Sequence, residues 1–393
     1  MRKHTPMAAI DELVRLTATE AVARLRRSEI SPLELIDAAA ARIEAVDGKV
    51  NALPIRFLDT AREKARRLMA QKPPQDPPPG WLAGLPLAAK DYNDVAGQRT
   101  TFGSPIFAGT VAAANDHTVA TLEASGAIFM AKSNVPEFAG SNTFNPVFGA
   151  TRNPWNLKMT AGGSSGGAAA ALASGTQWLA MGSDLGGSLR IPASYCAIVG
   201  MLPSVGRVPR GAGLPAFDSL WVEGPMARNV ADLALMLDAL SVQHPHDPLC
   251  LPAPRVPFAA AVQRPRPPRR VGFSANLGLS NVDPEVAAIC RAAAHRFTGL
   301  GSAVEEASPD FSDAIDTFQT LRGLLLAGLR GELQDAKNHS AELAALLQSS
   351  HTAVAAAEAD RGRLQRELEE IAALYNNTKA DGARELAQVR EAL

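Results

Sequence analysis

Serines set between glycines hold the most chemical information in this sequence. Ser164 and Ser165 lie in the run AGGSSGG, and Ser188 closes the run DLGGS, 24 residues after Ser164. Glycine on either side of a serine lets the backbone turn tightly and approach a ligand closely. A Gly-Gly pair ahead of a serine also frees several backbone N–H groups to converge on one point. That is what holding a developing oxyanion at ~2.7–3.1 Å requires. Ser188 is therefore a candidate nucleophile, and the serines of the first turn offer it a hydroxyl partner. Two plainer readings compete. The Ser188 turn could simply cap a helix, and the Ser164 turn, placed before the helical run Ala168–Ala173, could bind an anion at a helix N-terminus. A nucleotide-phosphate loop is disfavoured, because neither GxxxxGK[ST] nor GxGxxG is present.

A serine nucleophile needs a base. No histidine stands out as one. Lys90 ends the apolar run GLPLAAK and is followed by Asp91. Burial at the end of an apolar strand would penalise the ammonium and lower its pKa, by up to ~3–5 units. Lys90 would then serve as a general base near neutrality; the competing reading is a surface lysine at a strand end. His117 reads as a loop or surface residue. His244 and His246 form a close pair in QHPHDP, but without further ligands they do not make a metal site. The three cysteines, Cys196, Cys250 and Cys290, are too widely spaced for a disulfide framework or a zinc site, and Cys196 in SYCAIVG reads as core.

The elements that must position these residues read as α/β. Residues 8–72 are helical, with Leu13, Leu16, Ala21, Val22 and Leu25 at helical spacing and a Ser-Pro start at SPLELIDAAAARIEAV. The run PPQDPPPG over Pro73–Gly80 must be a loop. LPLAAKD, AIFMAKS and CAIVGML read as buried strands, and HTVATLEASG, GGAAAALASG and VADLALMLDAL as helices. Such alternation predicts an α/β fold whose sheet faces are covered by helices. A proline-rich stretch near 246–268 precedes a βαβ-like unit, RRVGFSA, PEVAAICRAAAHRFTGLG and SAVEEAS. From about Leu321 the chain is helical, with Leu364, Leu368, Ile371 and Leu374 on one face. The resulting division is a helical segment with linker (1–80), a core (81–245), a proline-rich linker (246–268) and a C-terminal part of the same domain (269–393).

The 393 residues carry a net charge of −1, with 46% hydrophobic and 20% charged residues. That balance calls for neither nucleic acid nor an anionic membrane. No apolar run reaches the ~18–20 residues of a membrane span, and the N-terminus lacks the apolar core of a secretory signal. The expectation is a cytoplasmic protein with no membrane partner.

Over about Gly84 to Leu240 the chain closely resembles the amidase signature family. GLPLAAKDYNDVAG is similar to that family's lysine-bearing strand, NPWNLKMTAGGSSGGAAAALASG to its serine- and glycine-rich signature, and GSDLGGSLRIPASYCAIVGMLPSVGRV to its nucleophile segment. GPMARNVADLALML stands where the family has a similar helix. The resemblance implies a mixed, twisted central β-sheet covered by helices on both faces, and a Ser–cisSer–Lys triad. Ser188 would be the nucleophile, Ser164, preceded by a cis peptide, the relay, and Lys90 the base. Backbone N–H groups of Leu185, Gly186, Gly187 and Ser188 would hold the oxyanion. Ser165 would orient the site, and Asp184 and Arg190 would brace the loops. The implied reaction is hydrolysis of a small-molecule amide through an acyl-enzyme, with no cofactor and no metal. The resemblance allows a homodimer, and it also covers the glutaminase-type subunit of a tRNA-dependent amidotransferase and binding-only members.

The sequence departs from the family pattern at three places. Leu202 stands where lysine is common, Ala161 where proline is common, and no DxLLxPT-like strand precedes Leu393. The last departure implies a truncated or diverged C-terminal part, with an edge of the sheet or a wall of the pocket unmade. Phe102, Phe107, Phe138, Phe144 and Trp221 are candidate pocket walls, each of which reads first as core.

Overall fold

The computed structural model describes residues 7–211, 217–245, 247–325, 327, 348, 358–359 and 361–370. By its internal contacts the chain divides into two units, Met1–Leu321 and Arg322–Leu393.

The first unit opens with helices α1 (Met7–Arg15), α2 (Ala18–Arg26) and α3 (Pro32–Val50), followed by strand β1 (Ile55–Arg56) and helix α4 (Leu58–Met69). Their starts are written in the sequence. Thr17 with Glu20, and Ser31 with Glu34, form capping boxes on α2 and α3, and Pro32 occupies the first turn. The periodic residues Leu13, Leu16, Ala21, Val22 and Leu25 are all buried, as their spacing predicts. Residues 70–80 carry no helix or strand.

Next come β2 (Pro86–Lys90), α5 (His117–Ala124) and β3 (Ile128–Ser133). β2 pairs parallel with β3 and β1 antiparallel with it, giving the order β1-β3-β2. Two small hairpins follow, β4 (Phe144–Asn145) with β5 (Gly149–Ala150) and β6 (Arg152–Asn153) with β7 (Asn156–Thr160). The chain then runs through α6 (Gly166–Ala173), β8 (Leu179–Asp184), α7 (Arg190–Tyr195), β9 (Val199–Gly200), β10 (Val222–Ala227) and α8 (Val230–Leu240). β8, β10 and β9 form a second, antiparallel sheet in the order β8-β10-β9.

The mixed α/β class is as predicted, but the strands pair as two three-stranded sheets that meet where β2 lies beside β8. Helix α6 crosses this junction, touching β2, β3, β8 and β10. Its alanines allow that close approach, and Ala168 to Leu172 are all buried. The run CAIVGML contributes only the two-residue β9, whereas LAMGSD and VEGPMA, not predicted as strands, form the long pair β8–β10. The core gathers Leu35, Ile36, Ile43, Leu87, Phe129 and Trp178.

The proline-rich stretch after α8 contains a short helix, α9 (Phe258–Val262), whose Phe258 and Ala259 N–H groups donate to the Asp238 carboxylate of α8 at 2.7 and 2.9 Å. The expected βαβ unit is present as β11 (Arg270–Phe273), α10 (Pro284–His295) and β12 (Ala303–Glu306), with β11 and β12 parallel. α10 has no buried residue. In the second unit, residues 361–370 are helical, with Leu364 and Leu368 exposed. Ile371, Leu374 and the chain beyond them lie outside the described residues. Among the described residues, no helix is long and apolar enough to cross a membrane.

Candidate active site

Lys90 is the last residue of β2, a strand buried along its whole length. Its side chain is fully buried and its Nζ donates to Ser164 Oγ at 2.8 Å, Ser165 Oγ at 2.9 Å and Ser183 Oγ at 2.9 Å. The Tyr92 ring centroid is 5.0 Å from Nζ. No carboxylate touches the amine, so burial dominates and pulls the Lys90 pKa down from 10.5 to about 7, against the pull of Glu223 and Asp184. The surface reading of this lysine does not hold.

The turn before α6 brings its serines to that amine. The Gly163–Ser164 peptide is cis. Ser165 stands at the N-cap of α6, yet its hydroxyl makes no cap; it donates instead to Ser183 O at 3.3 Å. The Ser183 N–H donates back to Ser165 Oγ at 3.4 Å, which locks the first serine turn onto β8. Gly182 makes room for this contact: a Cβ there would lie 2.7 Å from Ser165 Oγ.

Ser188 is not itself a partner of Lys90. It sits half-buried on the turn after β8, and the Ser165 N–H donates to its carbonyl at 3.2 Å. Asp184 braces that turn from beneath. Arg190 Nε and one terminal nitrogen donate to its two oxygens at 3.0 Å each, the bidentate geometry that suits a guanidinium. The Gly187 and Leu189 N–H groups donate to the same carboxylate at 2.6 and 3.0 Å. Burial works to raise the Asp184 pKa, but Arg190 and these two N–H groups outweigh it and hold the carboxylate ionised.

This brace corrects one expectation. Gly187, named above as an oxyanion donor, spends its N–H on Asp184, because its left-handed φ of 114° turns that group inward.

The aromatic residues sort themselves around the lysine strand. Tyr92 stacks on Phe102 at 5.9 Å, Phe102 meets Phe107 edge-on at 5.4 Å, and Phe107 meets Phe138 edge-on at 6.1 Å. Phe102 and Phe138 hold left-handed backbone, with φ of 52° and 46°, uncommon for bulky residues. Phe144 is exposed in β4, and Trp221 Nε1 donates to Glu223 Oε1 at 3.1 Å. Phe318 was not singled out from the sequence, yet its ring would lie 3.2 Å from a Cβ on Gly186. No local signal marks it, since the contact spans more than a hundred residues. Ser183 and Glu223 were also missed; recognising β8 and β10 as strands would have placed both.

The other candidates stay apart from this cluster. Cys196 is buried, its Sγ 3.7 Å from the carbonyl of Ala161, and burial pushes its thiol up to about 12. His117 and His244 rings lie 3.7 Å apart, while His246 falls outside the described residues. Among the described residues, no group of His, Cys, Asp and Glu could hold a metal ion. Leu202 is exposed.

Comparison with known proteins places these features in context. A family model described as Amidase matches residues 34–388. A glutamyl-tRNA(Gln) amidotransferase subunit from Moorella thermoacetica is 42% identical over 299 residues, 76% of this chain and 61% of that protein. The acylamidase of Rhodococcus erythropolis is 36% identical over 331 residues, 84% of this chain and 69% of that one. A bacterial aryl acylamidase described as an amidase signature enzyme superposes with a TM-score of 0.74 at 31% identity, covering 81% of this chain and 67% of that chain. The chain thus spans about three fifths of the length of the Moorella relative.

Proposed function

We propose an activity from the premise that this chain belongs to the amidase signature family: it hydrolyses a carboxylic amide, with Ser188 as nucleophile, Ser164 as relay and Lys90 as base. The observation that carries the proposal is the fully buried Lys90 amine 2.8 Å from Ser164 Oγ, with no charged partner in contact. A neutral amine there accepts the Ser164 proton as Ser164 takes the proton of Ser188. Ser188 Oγ then bonds to the amide carbon, and the N–H groups of Leu185, Gly186 and Ser188 receive the oxyanion. The tetrahedral adduct collapses, the C–N bond breaks, and the relay returns a proton to the departing nitrogen. Water, deprotonated along the same path, cleaves the acyl ester and releases the carboxylic acid and Ser188. Ser165 orients Lys90 by its hydrogen bond, and Asp184 with Arg190 fixes the nucleophile turn.

A fluorophosphonate probe tests this without knowledge of the amide. The expected result is labelling of the wild-type chain that disappears in Ser188→Ala. Equal labelling of that variant, or none of the folded wild type, overturns the assignment.

One observation favours a second reading, a glutamine-hydrolysing component of an amidotransferase: the 42% identity to the Moorella protein exceeds the 36% to the acylamidase. Turnover of a panel of aliphatic, aryl and peptide amides together with glutamine separates the two. Glutamine as the one good substrate supports the second reading; broad turnover of small amides supports the first.

A further inference from the structure

The reaction proposed above leaves the buried carboxyl of Glu223 unused. In the antiparallel β8–β10 pairing Glu223 stands directly opposite Ser183. Opposed residues in such a pair project from the same face of the sheet, with Cβ atoms ~4.5–5.5 Å apart. Ser183 Oγ is one of the three hydroxyls that receive Lys90 Nζ. The Glu223 side chain is therefore on the Lys90 side of the sheet, one side chain removed from the amine.

Its own hydrogen bonding is half complete. Trp221 Nε1 donates to Oε1 at 3.1 Å, whereas Oε2 is buried with no partner. A bare oxygen on a buried carboxylate is costly, and protonation is the ordinary relief. The groups facing Glu223 bear on the same balance. After burial, which raises its pKa most, Asp116 at the start of α5 raises it further, while Lys90, Trp221 and the Asn93 side chain lower it. On the other partner, burial lowers Lys90 while Glu223 and Asp184 raise it.

We propose that Glu223 is a positioning residue that sets the protonation state of Lys90, the two sharing one proton in a single buried pocket. The inference rests on the reading of Lys90 as base. With the proton on Glu223, the pair is a neutral acid beside a neutral amine, and Lys90 is free to accept from Ser164. With the proton on Lys90, the pair is a carboxylate and an ammonium, and the base is blocked. The proton changes place between the two; no other group gains or loses charge.

The pH dependence of fluorophosphonate labelling reads this directly. Glu223→Gln keeps the shape and the hydrogen bond from Trp221 but cannot form the blocking carboxylate. The midpoint of the acid limb should move to lower pH by about half a unit or more relative to wild type. Trp221→Phe removes the hydrogen bond that favours the ionised carboxyl, so it should move the midpoint the same way by less. It carries the test if Glu223→Gln does not fold. A midpoint unmoved, or moved up, in the folded variants overturns the inference while leaving Lys90 as base. A wild type that takes no label, or takes it equally in Ser188→Ala, overturns the underlying reading instead.

Discussion

Among the described residues two lysines, Lys90 and Lys132, are fully buried, and their surroundings differ. Lys132 donates to Asn93 O at 2.6 Å and Thr100 Oγ1 at 2.9 Å and lies 3.7 Å from the buried Asp91 carboxylate. Burial works to lower its pKa as well, but Asp91 beside it opposes that shift from within ion-pair distance. Lys90 has only hydroxyls and a carbonyl, so its neutral form is the one the pocket favours. This contrast turns the site into a prediction. Because the Lys90 pKa is lowered to about 7, the base is present above that pH and is lost as the pH falls through it. The labelling rate at Ser188 should follow that limb, whereas an unperturbed lysine would put it near pH 10.5. Lys90→Ala should slow labelling by about 10²–10⁴-fold while circular dichroism stays that of the wild type. An unchanged rate would remove Lys90 from the mechanism.

Strands β8 and β10 show how elements carry the site. β8 delivers Ser183 to the lysine, Asp184 to the nucleophile turn and Gly182 to the back of Ser165. The sequence pattern conceals both strands, since Gly182 lies in one and Gly224 and Pro225 in the other, residues disfavoured inside a sheet. Tertiary packing overrides that preference: a Cβ at Gly224 would lie 2.6 Å from the Met201 carbonyl, and one at Gly182 would strike Ser165. Gly182→Ala should therefore push the first serine turn away from β8. We expect a loss of ~1–3 kcal/mol in chemical denaturation, typical of overpacking, together with slower probe labelling. A variant as stable and as reactive as wild type would show that the turn moves freely. At the same scale, CAIVGML reads as a strand because it is apolar, yet its first residue ends α7 and only Val199 and Gly200 pair.

On the scale of the whole first unit, contacts across 165 residues or more hold the N-terminal helices to the rest of the unit. Asp232, in the first turn of α8, accepts from the Ala18 and Thr19 N–H groups and the Thr19 hydroxyl, each at 2.9 Å. Arg228 donates to the carbonyls of Val14 and Leu16, and Trp178 Nε1 to that of Leu13 at 3.1 Å. The start of α2 is thus capped twice, locally by Thr17 and remotely by Asp232. Asp232→Ala would leave a buried N–H of α2 without an acceptor, at a cost of ~1–3 kcal/mol. A drop of that size in the unfolding free energy, with Ser188 labelling retained in the folded fraction, is the expected outcome. No change would mean that the N-terminal helices are held by apolar packing alone.

The helix starts, the lysine-bearing strand and the two serine turns were legible because each is a local matter. Capping boxes, glycine spacing and apolar periodicity act over a few residues and need no partner elsewhere. The roles proposed for Ser164, Ser188 and Lys90 came from the order of three motifs, which the resemblance made specific. The sequence could not tell that Lys90 is buried with no carboxylate in contact, that Gly187 turns its N–H to Asp184, that Phe318 rests on Gly186, or that Glu223 faces the lysine. Each of these depends on strands and turns far apart in the chain packing at one junction. Burial and electrostatic environment are properties of that junction, and only the tertiary structure decides them.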